Sequence, residues 1–273
     1  MSRAASLVFV LFTACGLATP KTGETVAPGV ERASFERRNN GTDLVDITVY
    51  FPSDKPGPLP GVVFIQGGFV ATSSYAWQAI ALAQAGYVVA IPENSLELAF
   101  FSMERGATVR ELLASPPVGS VLDGLVDPTR IAVAGHSLGS VVAAKLALRE
   151  PFAALVLEAG FPEDADQKKF ADFKHPSLSL AGSLDCSAKL ENVQAGWQSL
   201  PSPTALVVLD GVTHYQFTDS DEPDRKKNCI PTRPLDDAHD AMTTALTRFL
   251  DAALTDGSVG SLNSVPGATV DAR

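Results

Sequence analysis

The stretch from Arg130 to Arg149 constrains the fold of this chain more than any other. Arg130-Ile131-Ala132-Val133-Ala134 is a short apolar run of the kind that makes a buried strand, and Ser140 to Arg149 is an alanine-rich, helix-forming segment. Between them stands Gly135-His136-Ser137-Leu138-Gly139, so a strand must turn sharply into a helix with a serine at its apex. Such a turn is strained and crowded. Glycine suits the two flanking places because a Cβ there would collide with the neighbouring strand or helix.

Around this segment, apolar runs alternate with helical patterns. Leu44–Tyr50, Val62–Gln66, Tyr87–Ile91, Ile131–Ala134, Ala154–Glu158, Ser177–Ala181 and Ala205–Asp210 read as strands. Tyr75–Ala85, Met103–Ala114, Ser140–Arg149, Ser187–Leu200 and Asp236–Ala253 read as helices. This alternation predicts an α/β fold, a mainly parallel sheet flanked by helices on both faces, with active residues gathered at the carboxyl ends of the strands. With 273 residues the chain fits one domain over 33–254, and no insertion is long enough for a separate lid domain.

The amino terminus has the layout of an export signal. One arginine precedes the apolar run Leu7 to Phe12, which is too short to span a bilayer, and Leu11-Phe12-Thr13-Ala14-Cys15 resembles a bacterial lipobox. Residues 1–15 are therefore expected to be a signal peptide, with Cys15 a candidate for lipidation and membrane anchoring. The protein would then be exported, as a cell-envelope lipoprotein or a secreted protein. Residues 16–32, rich in Thr, Pro and Gly, read as a flexible tether, and 255–273 as a disordered tail.

Three cysteines fit this reading, because Cys186 and Cys229 remain as a pair for a disulfide in an oxidising compartment. The net charge of −10 and the absence of a lysine/arginine cluster give no footprint for nucleic acid. No protein partner and no oligomerisation pattern is legible.

A serine hydroxyl becomes an effective nucleophile beside a base, and the base needs a carboxylate to fix its tautomer. Of the four histidines, His136 lies inside the turn, His175 precedes a strand, and His239 belongs to the last helix. His214 follows the strand Ala205–Asp210 and is the expected base for Ser137. Asp185 follows Ser177–Ala181 and gives the chain order Ser, Asp, His, while Glu158, at the end of the preceding strand, is the alternative acid. A Cys186–Cys229 bridge would also tie the acid loop to the histidine loop.

An oxyanion formed on attack needs preorganised N–H donors. The expected donors are the N–H of Leu138 and that of Gly68, with Phe69 as the alternate, in the loop Gln66-Gly67-Gly68-Phe69.

These motifs resemble the α/β-hydrolase superfamily, and within it the small lidless, fold-5 or dienelactone-hydrolase-like members. The resemblance runs from about Gly61 to Leu250. It includes Gly67-Gly68-Phe69-Val70 with Ser74-Tyr75-Ala76, Ala90-Ile91-Pro92 leading to Leu96-Glu97-Leu98-Ala99-Phe100, and Gly211-Val212-Thr213-His214-Tyr215-Gln216-Phe217.

It implies hydrolysis of small to medium neutral carboxylic esters through an acyl-enzyme, with Ser137 as nucleophile, His214 as base then acid, Asp185 as the orienting carboxylate, and neither metal nor organic cofactor. Gln66 stands where many relatives have histidine, and a serine replaces the cysteine nucleophile of dienelactone hydrolases proper. Phe69, Phe100, Phe101, Phe161, Tyr215 and Phe217 fall near strand ends or loops and are candidates for an apolar substrate pocket. Lipase-like, polyester-cleaving and amidase variants of the same triad remain open, as does a hydrolase-fold binding or scaffold protein with little turnover.

Overall fold

The computed structural model describes residues 19–39, 43–93, 102–223 and 229–273. Its centre is a ten-stranded sheet. In chain order the strands are β1 (Glu24–Ala27), β2 (Val30–Arg38), β3 (Leu44–Pro52), β4 (Leu59–Ile65), β5 (Val88–Pro92), β6 (Val126–His136), β7 (Ala154–Glu158), β8 (Ser177–Gly182), β9 (Thr204–Leu209) and β10 (Ala268–Ala272). The helices are α1 (Ala76–Ala85), α2 (Ser102–Ala114), α3 (Leu138–Arg149), α4 (Asp164–Gln167), α5 (Leu190–Gln198) and α6 (Leu235–Ala253).

Across the sheet the order is β1-β2-β3-β5-β4-β6-β7-β8-β9-β10. The six strands from β5 to β9 run parallel, and the outer ones join antiparallel. This is the α/β arrangement expected from the alternation.

The central strands are apolar runs because helices cover both of their faces. β5, β7 and β8 are buried along their whole length. In α6 the buried residues Ala238, Ala241, Met242, Ala245, Leu246, Phe249, Leu250 and Ala253 recur at helical spacing, so one stripe seals the sheet and the opposite face meets water.

From β4 the chain moves outward to β5, then returns across β4 to β6. The strand order therefore reverses beside the carboxyl end of β6, the crevice where open α/β sheets bind ligands.

Both chain ends differ from expectation. The stretch read as a tether carries β1, turns through Pro28-Gly29 with φ +73° at the glycine, and enters β2, which pairs with β3 from Val30↔Pro52 to Arg38↔Leu44. The stretch read as a disordered tail carries β10, paired with β9 from Ala268↔Leu209 to Ala272↔Ala205. Arg273 secures that end, with its guanidinium 4.3 Å over the Trp197 ring and bonded to the Trp197, Gln198 and Leu200 carbonyls. Composition suggested disorder, but edge pairing supplies the order that local apolar content lacks. Cys15 and the signal segment lie outside the described residues, as do Phe100, Phe101 and the motif Leu96 to Phe100.

Candidate active site

Ser137 stands between β6 and α3 with φ 55° and ψ −121°, a region that side-chain-bearing residues rarely enter. Local bonds hold it there. Its N–H donates to the Glu158 carbonyl at 2.8 Å, its own carbonyl accepts Ser140 N–H at 2.9 Å, and Ser140 Oγ donates to the same Glu158 carbonyl at 2.9 Å. A Cβ on Gly135 would overlap the Gly139 carbonyl, and one on Gly139 would overlap the Ile65 and Gln66 carbonyls. Both flanking glycines are thus required by close approach.

His214 opens a short 3-10 turn, His214–Phe217, beyond β9. Its Nε2 lies 2.9 Å from Ser137 Oγ, and its Nδ1 lies 2.7 Å from Asp185 Oδ2. Asp185 is buried in the loop after β8, and its other oxygen, Oδ1, accepts the N–H groups of Ser187 and Ala188 at 2.7 and 2.8 Å. Those backbone donors aim the carboxylate.

The two loops are sewn together. Leu184 N–H donates to the Val212 carbonyl and Gly211 N–H to Ser183 Oγ, both at 2.9 Å, and a Cβ on Gly182 would overlap that Val212 carbonyl. Cys186 and Cys229 form a disulfide with Cα atoms 6.2 Å apart.

Glu158, the alternative acid, makes no bond to His214 among the described residues. It is buried and its carboxyl accepts Gln78 Nε2 from α1. Burial pushes that carboxyl up to about 8, so at neutral pH it is mostly an uncharged acid.

Gln66, Gly67 and Gly68 follow β4, beside the carboxyl end of β6. Gln66 Nε2 closes the loop on the Val70 carbonyl at 2.9 Å, and Phe69 turns out at φ +62°, 78% exposed. Gly68 faces the Ser137 turn, since a Cβ on it would sit 3.3 Å from Leu138 Cδ2. Of the candidate pocket aromatics, Phe217 is wholly buried and Phe161 packs against the core, while Phe69 and Tyr215 reach solvent. Leu184, beside Asp185, is also exposed.

Several supporting residues were not legible beforehand. Gln216 is wholly buried; its Oε1 accepts Thr213 N–H at 3.1 Å, and its Nε2 donates to Asp221 Oδ1 and the Arg233 carbonyl at 2.8 and 2.7 Å. His239, on α6, donates Nε2–H to the Gln216 and Thr218 carbonyls and stacks on Trp77 at 3.5 Å. The spacing Thr213-x-x-Gln216 is a capping-box signal that could have flagged this turn. Nothing local marks the His239 contact.

A serine held at a strained strand-to-helix turn, with a histidine and carboxylate delivered from later strands of a mainly parallel sheet, is the architecture of an α/β hydrolase. The model of the Alpha/beta hydrolase family matches residues 61–231, and the chain belongs to that family.

Among characterised relatives, Cutinase est2 of Thermobifida alba is 28% identical over 179 residues, covering 62% of this chain and 56% of that protein. Cutinase 2 of Thermobifida cellulosilytica is 28% identical over 179 residues, 62% of this chain and 64% of its own. The bis(hydroxyethyl) terephthalate hydrolase of Streptomyces coelicolor is 29% identical over 177 residues, 62% and 54%. The chain thus spans between half and two thirds of the length of these relatives.

Proposed function

We propose that this protein is a serine hydrolase that cleaves neutral carboxylic esters through an acyl-enzyme. The hydrogen-bonded series Asp185–His214–Ser137, at 2.7 and 2.9 Å, carries the reading. Ser137 Oγ attacks the ester carbonyl as His214 Nε2 takes its proton, and Asp185 holds Nδ1–H so that Nε2 is the free base. The oxyanion is received by the N–H groups of Leu138 and Gly68 or its neighbour Phe69. His214 then returns the proton to the leaving alcohol, and a water activated by the same histidine releases the acid.

The substrate reading rests on the surface and on the relatives. Phe69, Leu184 and Tyr215 are exposed and adjoin in sequence Gly68, Asp185 and His214. An apolar margin of this kind suits an ester flanked by hydrocarbon or aromatic groups, in keeping with relatives named for cutin and for a terephthalate ester.

The test is hydrolysis of p-nitrophenyl esters of increasing acyl length, with fluorophosphonate labelling, by the chain and by its Ser137→Ala variant. Serine-dependent turnover and labelling are expected. A folded parent that neither labels nor turns over any ester would favour the binding or scaffold role, and activity on amides but not esters the amidase one.

Export, with Cys15 as the lipidated residue, is part of the same proposal. It is supported by the leader's composition and by the disulfide, and the mass of the mature amino terminus checks it. Among the described residues no helix is long and apolar enough to cross a membrane.

A further inference from the structure

Preorganised N–H donors act only if the loop carrying them is held in register with the nucleophile, and that loop leaves β4 as Gln66-Gly67-Gly68-Phe69, closed on itself by the Gln66–Val70 bond but with two glycines between that bond and the elbow. We propose that Tyr75 is the residue that positions it, its buried hydroxyl linking the Gly67 N–H to the elbow histidine His136. The inference rests on the reading of Ser137 as an esterase nucleophile.

Tyr75 ends a 3-10 turn, Thr72–Tyr75, directly before α1, and is fully buried. Its oxygen accepts Gly67 N–H at 2.8 Å and lies 2.9 Å from His136 Nδ1. Because the oxygen serves as acceptor toward the glycine, its own hydrogen is available for His136 Nδ1, which puts the ring proton on Nε2. The opposite tautomer would leave the phenol hydrogen without an acceptor.

The fit is close. A Cβ on Gly67 would sit 2.9 Å from His136 Nδ1 and 3.0 Å from the Tyr75 oxygen. Beyond His136 the series reaches the base itself, with the His136 and His214 rings 4.7 Å apart and Phe217 stacked on His136 at 5.6 Å.

Both members of the pair stay uncharged. Burial pushes the Tyr75 phenol up and holds the His136 imidazole well below its ordinary range, so no cation stands beside His214 when His214 takes up the serine proton. Tyr75 thus joins the oxyanion loop to the elbow through one neutral side chain, and His136 carries the contact on to the histidine turn. It touches no substrate, so its effect belongs to the transition state.

Tyr75→Phe keeps the ring and removes the link. For an ester turned over by the parent, kcat is expected to fall about tenfold with KM within about twofold, below the 10²–10³ cost of losing a donor outright. Affinity for an alkylboronic acid, which forms a tetrahedral adduct on the serine, should fall by the same factor. A folded variant with parental kcat and boronate affinity overturns the proposal, as does a fall in thermal midpoint with boronate affinity unchanged.

Should Tyr75→Phe not fold, Gly67→Ala presses a methyl on the same hydroxyl. It must weaken boronate binding, and unchanged binding overturns the proposal. Ser137→Ala, assayed in parallel, separates the two readings. Turnover lost there but parental in Tyr75→Phe sinks the positioning role alone, whereas turnover surviving Ser137→Ala sinks the esterase.

Discussion

Glu158 shows how much one position can carry. Its backbone carbonyl receives both Ser137 N–H and Ser140 Oγ, while its side chain is buried against Gln78 and held at about 8 against an ordinary 4.5. Between those two values the folded chain keeps a proton that the unfolded chain releases, so stability falls as pH rises through this window and the loss is complete above pH 8. Glu158→Gln removes the titration. Urea unfolding at pH 5 should give similar stabilities for parent and variant, and at pH 9 the variant should be the more stable; equal pH slopes would refute the assignment. From sequence this carboxylate stood at a strand's carboxyl end as the alternative to Asp185, which was placed first by its chain order. The distinction is one of side-chain environment: Asp185 meets two loop N–H groups and an imidazole, Glu158 a glutamine in the interior.

Elements were legible in proportion to how apolar they are. β7 was located to the residue, and β4, β5, β6, β8 and β9 were found with shifted ends, because strands buried on both faces read as continuous apolar runs. β1, β2 and β10 escaped for the opposite reason: they are short or charged strands at the margins of the sheet whose order comes from pairing, β1 and β2 with the next strand along and β10 with β9, more than fifty residues back. β10 shields the edge of β9, and Arg233, just before α6, donates to the Gly267 and Pro266 carbonyls while its own carbonyl holds Gln216 in the histidine turn. Removing residues 266–273 therefore bares a strand edge and takes away both carbonyls that the Arg233 guanidinium bonds. The truncated chain should melt several degrees lower and self-associate on light scattering. An unchanged melting temperature with a monomeric profile would show that β10 contributes nothing.

At the scale of the whole molecule, the meeting of Ser137, Asp185 and His214 was legible because each residue follows its own strand, and parallel strands end on one edge. Tyr75, Gln216 and His239 were not, since each acts across elements whose relative placement only the folded sheet defines. The Cys186–Cys229 bridge spans 43 residues and includes both the acid loop and the histidine loop. By the chain-entropy estimate it contributes about 4 kcal/mol. Cys186→Ser with Cys229→Ser should lower the unfolding free energy from urea titration by an amount approaching that figure, with a lower midpoint, and reduction of the parent should do the same. A midpoint insensitive to both would mean that the loops are held by their backbone bonds alone.

The contorted backbone of Ser137 has a further consequence. A residue at φ 55° stays in that conformation only while its surroundings insist on it, and here the insistence comes from one carbonyl on β7 and from glycines with no room to move. The proposed nucleophile is thus a cocked trigger whose catch is the sheet. Any loosening between β6 and β7 lets the serine relax into ordinary backbone, so the chain would disarm itself before it comes apart.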